Sequence, residues 1–201
     1  MYHILFGGCK SLTSSAVYQG QEQHFKGNGT PFNREPLWQS GYDTSSPLYV
    51  LTSTLNKIRN HAIKLSPDYV ESKSDVLRAD INHFCVRKGP QTAGNQVVFC
   101  INNQSQDGGN YDFSLSGFEP NDPVVEVLGC TITTADAAGN FTTFQFDGEP
   151  RVYVHQGMLQ DTGLCETTTP AGPKTGGAGT LGVSAGMLTA VLAGWAMVFL
   201  A

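Results

Sequence analysis

The chain reads as a mainly β protein, an antiparallel β-sandwich with Greek-key links, on three observations. From Pro67 onward, short strand-like runs recur every 8–15 residues with Gly, Asn, Asp and Pro between them, the rhythm of a sandwich. Turn formers are abundant, with 23 Gly and 10 Pro in 201 residues, which suits hairpins better than a helical bundle. Only one segment carries a convincing helical period.

Taken in order, residues 1–15 show no clear pattern. Ala16-Val17-Tyr18 running into Gln19-Gly20-Gln21-Glu22 predicts a short strand and a polar turn, and residues 24–45 read as a loop rich in turn formers. Ser45-Ser46-Pro47 then opens a helix by a hydroxyl cap followed by Pro in the first turn. Its apolar residues Leu48, Leu51, Leu55, Ile58 and Ala62 step by three and four along one face, ending near Leu65 before Pro67. Strands are predicted at Tyr69–Glu71, Val76–Ala79, Ile81–Lys88, Gln96–Asn102, Tyr111–Leu115, Val124–Leu128, Thr131–Thr134, Phe141–Phe146 and Val152–Val154. Phe84, Val86, Val98, Phe113, Val125, Val127, Phe144 and Val152 are expected to face inward, enough for a core in a domain of about 100 residues.

Composition narrows the function classes. Charged residues make up 14% of the chain, and 12 Lys+Arg against 17 Asp+Glu give a net charge of -5. That balance leaves no electrostatic footprint for phosphate, so nucleic acid is not an expected partner. There is no G-x-S-x-G, P-loop, H-E-x-x-H or G-x-G-x-x-G, and the five histidines are scattered. No C-x-x-C or His/Cys cluster exists, so no metal site is expected. Asp107, Asp112, Glu119, Asp122 and Asp136 fall in predicted turns, where solvated Asp is ordinary. Residues 18–42 stand apart, bringing together Gln21, Glu22, Gln23, His24, Asn33, Arg34, Glu35, Trp38 and Tyr42. Amide, guanidinium and aromatic groups together suit a carbohydrate site, with flat rings for sugar faces and polar groups for hydroxyls. The plainer reading is a polar loop in which Arg34 pairs with Glu35, Glu22 or Asp43.

Both ends of the chain bear on its compartment. The last charged residue is Lys174, and Met187 to Ala201 is a 15-residue apolar run. Small residues, a spacer and a hydrophobic tail form the layout of a GPI-attachment signal, with Gly176, Gly177 and Ala178 as candidate attachment residues. A tail-anchored membrane helix over Leu181 to Ala201 is the alternative. Three sequons, at Asn28, Asn103 and Asn140, make glycosylation candidates and fit a secreted protein. Among the five cysteines, Cys130 and Cys165 could clip the C-terminal end of the sandwich, Cys85 and Cys100 could bridge a hairpin, and Cys9 is left over. The first 20 residues hold no apolar core of the ~7–15 residues a signal peptide requires.

The stretch VYQGQEQHFKGNGTPFNREPLWQSGYDTSSPLYVLTSTLNKIRNHAI resembles the C-terminal end of the catalytic barrel in fungal secreted α-amylases. The resemblance continues through RKG (87–89), SLSG (114–117), EVLGCT (126–131) and PRV (150–152), which look like that family's C-terminal β-sandwich, and covers residues 17–165. It implies residues 1–66 as the last strand, loop and helix of a (β/α)8 barrel (with 1–15 not matching) and 67–165 as the C-terminal domain, which leaves 166–201 as the linker and GPI-type tail read from its own pattern. The family cleaves α-1,4-glucans with retention, using an Asp nucleophile, a Glu acid/base and a second Asp. All three, and the calcium ligands, lie upstream of anything that matches here. The implied chain is a truncated or degenerate copy with no catalytic residue, no cofactor and no hydrolase activity of its own, acting as a monomer.

One substrate contact does carry over by resemblance. A family Arg in the loop after the eighth strand corresponds to Arg34, while its partner Asp aligns with Thr30. The family's C-terminal disulfide corresponds to Cys130–Cys165. The tail points to the cell-wall-associated branch, similar to α-amylases but inclined to α-glucan transglycosylation, with a place at the cell surface. α-Glucan is then the implied partner. The alternative is a sandwich that binds α-glucan or cell wall without catalysis, which an exposed Trp/Tyr ledge would favour. The sandwich is expected to fold with the helix docked through Leu51, Leu55 and Ile58, and the first 45 residues to be poorly ordered.

Overall fold

Helix α1 (Pro47–Leu65) begins where Pro47 supplies a preset φ at the first helical position and ends at Ser66, held extended by the Pro67 that follows. The structure is a computed structural model that describes residues 19–27, 29–30, 34–90, 94–105, 109–145 and 148–166. The predicted strand at 16–18, Cys9, and the candidate attachment residues Gly176, Gly177 and Ala178 lie outside the described residues. Among those described, no helix is long and apolar enough to cross a membrane.

A six-stranded antiparallel sheet forms the middle of the molecule, in the order β1-β2-β3-β8-β5-β6. Its strands are β1 (Asp75–Ala79), β2 (His83–Lys88), β3 (Val97–Asn102), β5 (Pro123–Glu126), β6 (Thr131–Thr134) and β8 (Arg151–His155). The second sheet is the pair β4 (Tyr111–Ser116) and β7 (Asn140–Gln145). Alternation along the strands sends Val97, Phe99, Val125, Val152 and Val154 to one face, where they pack with Leu55, Ile58 and Ala62 of α1. Cys85, Val98, Cys100, Val124 and Tyr153 point the other way and pack with Leu115, Phe118 and Phe141. The antiparallel sandwich that the sequence predicts is therefore present, with the helix as a third layer. Leu51 joins the helix-side core half-buried, as expected of it.

Three expectations are corrected. Tyr69–Glu71 is not a strand but part of a helical turn, α2 (Asp68–Glu71), because Pro67 and Asp68 suit a first turn and three residues carry no readable period. Its Tyr69 is buried and lies 5.9 Å below the ammonium of the buried Lys88, which also donates to the carbonyls of Val70 (3.1 Å) and Ser72. Strand β2 starts at His83 rather than Ile81, because the Asp80 carboxylate takes the backbone N–H groups of Asn82 (2.9 Å) and His83 (2.7 Å) into a turn. Phe144 faces solvent at 48% exposed, and Phe84, although on the same face of β2 as Val86, is left 39% exposed at the edge of the core. Within the first 45 residues, the described stretches 19–27 and 34–45 are joined to one another and to Ser46 at the mouth of α1 by specific hydrogen bonds.

Among the described residues, two disulfides tie the sandwich. Cys85 and Cys100 sit directly opposite each other on β2 and β3, and Cys130–Cys165 ties the β5–β6 turn to the chain after β8. Helix and sheet are also joined by a polar contact: the buried Asn95 amide donates to the Ala62 carbonyl at 3.0 Å, in the last turn of α1. Asn95→Ala is expected to cost about 1–2 kcal/mol, the loss of one buried hydrogen bond, read as a shift of the denaturation midpoint with an unchanged slope.

Candidate functional site

The segment before α1 is folded by side-chain-to-backbone bonds. A 3-10 turn at Gln21–Gln23 is entered through Gly20, whose φ of +89° and contact with the Phe25 ring exclude any side chain. Gln23 then clamps the backbone of Asp43 from both ends of its amide, donating to the carbonyl at 3.0 Å and accepting from the N–H at 3.1 Å. Ser46, at the mouth of α1, donates from its hydroxyl to the Glu22 carbonyl at 2.8 Å. These bonds fix the first turn against Asp43 and Ser46, which follow the second 3-10 segment, Leu37–Ser40, whose Ser40 hydroxyl receives the Tyr42 N–H.

Between these turns lies an open cleft of about 420 Å³. Gln23, His24, Glu35, Gln39, Ser40 and Asp43 supply its polar wall, and Phe25 and Pro47 its apolar one. Beyond its rim in sequence, Trp38 is 70% and Tyr42 59% exposed. The cleft wall thus offers several hydrogen-bond donors and acceptors, while Trp38 and Tyr42 are sequence neighbours of lining residues and do not line it themselves. Among the described residues no cluster of His, Cys, Asp or Glu is arranged to hold a metal ion.

Arg34 is exposed, and among the described residues no ion pair joins it to Glu22, Glu35 or Asp43. Each of those carboxylates turns elsewhere: Glu22 to the Gly20 N–H, Glu35 to the Gly27 N–H, and Asp43 to Ser45. The salt-bridged polar loop is thus not what forms. Thr30 is exposed, and Asn28 lies outside the described residues. Asn103 is exposed after β3, whereas Asn140 is half-buried at the start of β7. The Gln23–Asp43 clamp escapes sequence reading because its partners lie 20 residues apart.

Three turn carboxylates have their pKa values held below the ordinary range. For Asp80 the main cause is the Asn82 N–H, then the His83 N–H. For Asp136 it is the Asn140 backbone, then its side chain, and for Asp43 the Ser45 side chain, then its backbone. A depressed folded pKa contributes stability that is present above the unfolded value and lost as pH falls through the folded one. Thermal stability is therefore expected to fall progressively below about pH 4, and Asp80→Asn to flatten that decline. An unchanged acid limb in the variant would remove Asp80 from the account.

Residues 76–173 match the family model of α-amylase, domain C. The sandwich has the α-amylase C-terminal fold. The chain is homologous to fungal α-amylases, being 36% identical over 151 residues to Alpha-amylase 1 of Schwanniomyces occidentalis and 37% identical over 149 residues to Alpha-amylase 1 of Lipomyces kononenkoae. Each match takes 74% of this chain but only 29% and 24% of those proteins. The solved α-amylase of Malbranchea cinnamomea superposes with a TM-score of 0.73 at 31% identity, over 82% of this chain and 33% of its own. The likeness extends upstream of the α-amylase domain C match, since 151 aligned residues exceed the 126 from position 76 to the last residue.

Proposed function

We propose that the chain is the C-terminal part of an α-amylase-like glycoside hydrolase acting on α-1,4-glucan. Residues 1–66 are the end of its barrel, 67–165 its C-terminal domain, and 166–201 a linker with a GPI-type tail that places it at the cell surface. The observation that carries this reading is that the likeness to a fungal α-amylase is longer than domain C and reaches upstream of it, toward the segment whose motifs resemble the end of the family's barrel. Arg34 is the substrate contact this part contributes, its guanidinium free of the loop's own carboxylates and available to sugar hydroxyls. Without the upstream carboxylates the chain alone does not cleave starch, and hydrolysis or transglycosylation belongs to the longer parent.

The test is a chimera in which residues 17–165 replace the matching part of Schwanniomyces occidentalis Alpha-amylase 1. Starch hydrolysis is expected, with Arg34→Ala lowering kcat/KM about tenfold, the worth of one charge-assisted hydrogen bond. A folded but inactive chimera overturns the reading. One observation favours a second function, glucan binding without catalysis: the exposure of Trp38 and Tyr42 near the polar cleft. Retention of the isolated chain on an amylose column, lost in Trp38→Ala, would support that alternative.

A further inference from the structure

We propose that Asn103 carries an N-linked glycan and that this glycan covers Ile81. Of the sequons, Asn103-Gln104-Ser105 leaves β3 on the surface, with Asn103 and Ser105 both exposed and Ser105 in a left-handed backbone. The Asn103 N–H bonds the Asn82 carbonyl at 3.2 Å, and its side-chain amide donates to the Ile81 carbonyl at 3.1 Å. A substituent on that nitrogen therefore starts beside Ile81, which is 87% exposed, the most exposed of the large apolar side chains among the described residues. A bare aliphatic side chain at a turn tip is a liability that a bulky, solubilising sugar removes.

Asn140 offers a different setting. It is half-buried between the buried Gly139 and Phe141, and Asp136 binds both its backbone N–H at 2.9 Å and its side-chain amide at 3.2 Å. A sugar there would displace the Asn140 nitrogen from the Asp136 carboxylate that closes the turn. Two disulfides, Cys85–Cys100 and Cys130–Cys165, fit the oxidising compartment in which N-glycosylation takes place.

The transfer balances simply. The Asn103 amide nitrogen attacks the anomeric carbon of an oligosaccharide linked to a polyprenyl pyrophosphate. The bond from that carbon to the pyrophosphate oxygen breaks, the lipid pyrophosphate leaves with the electron pair, and the nitrogen gives up one proton. The proton that stays on the nitrogen still serves the Ile81 carbonyl.

The experiment expresses the full chain behind a secretion leader in yeast and compares its mobility before and after endoglycosidase treatment. Asn103→Gln and Ser105→Ala are each expected to lose one glycan step relative to the parent, and Asn140→Gln to lose none. Ser105→Ala keeps the Asn103 side chain and its bond to Ile81, so a folding defect cannot imitate the result. An unchanged pattern in both Asn103→Gln and Ser105→Ala overturns the site. Enzymatic removal of the glycan is expected to increase self-association, and Ile81→Ser to abolish that increase; equal association with and without sugar overturns the covering role. Neither outcome bears on starch hydrolysis by the chimera, so the two readings fail separately.

Discussion

Replacing Glu126 by alanine is expected to lower the free energy of unfolding by about 3–5 kcal/mol, among the largest effects of any single change in the sandwich. Glu126 is buried at the end of β5, and its carboxylate organises the turn that follows by accepting the N–H groups of Leu128 at 3.1 Å and Gly129 at 2.6 Å. The same carboxylate crosses to β8, taking the buried Val152 N–H at 3.2 Å and lying 3.8 Å from the Arg151 guanidinium. Alanine takes the acceptor away from the buried Val152 N–H and removes a buried negative charge from beside Arg151. Glutamine keeps one acceptor oxygen and is expected to cost about half as much. Urea unfolding of the two variants checks this: equal losses would mean that charge rather than acceptor count matters. The turn also carries Cys130, with a φ of +50°, so Glu126 presents one half of the Cys130–Cys165 bridge in the conformation that pairing needs.

How far the fold was readable follows from which forces are local. The helix was legible because Leu55, Ile58 and Ala62 repeat at helical spacing and are all buried. The strands were legible as runs, but their facing was less so. Phe141 and Phe144 lie three apart on β7, an odd separation, so a period of two cannot send both inward. Phe141 took the core and Phe144 the solvent. Phe84 shares the face of Val86, yet Val86 is 7% exposed and Phe84 39%, so the facing was right and the cover was not. How far a helix reaches along a sheet is a tertiary fact with no signature in the strand itself. The cleft was half legible. Its residue types advertised hydrogen bonding to sugars, and Arg34 came from the motif. The clamp from Gln23 to Asp43, which ties the first turn to the approach to α1, joins an ordinary glutamine to a backbone and leaves no trace in composition.

The helix face gives the other large expected effect. Leu55→Ala is expected to cost about 4 kcal/mol, from lost burial and from the cavity left against a sheet that does not collapse. Leu55 is 1% exposed and packs in the same cluster as Val97, Phe99, Val125 and Val154. The cleft depends on this contact. Ser46 and Pro47 begin the helix, Gln23 and Glu22 are tied to it, and the helix is held to the sheet through Leu55, Ile58 and Ala62. Loosening α1 therefore releases the loop carrying Arg34, even though Leu55 lies in the core and not in the cleft. If helix and sandwich unfold as one unit, the variant's single transition moves to lower denaturant with the same slope. If the helix undocks alone, the fluorescence of Trp38 changes before the sheet melts, and the cleft is lost while the sandwich persists. The first result is expected, because the apolar face of α1 and the Asn95 bond to Ala62 both end in the same six-stranded sheet. In a chimera with the upstream part of an α-amylase, the same substitution would then weaken catalysis through Arg34 placement as well as through stability. Complementing Leu55→Ala by measurement at low temperature, where the fold is retained, separates those two contributions.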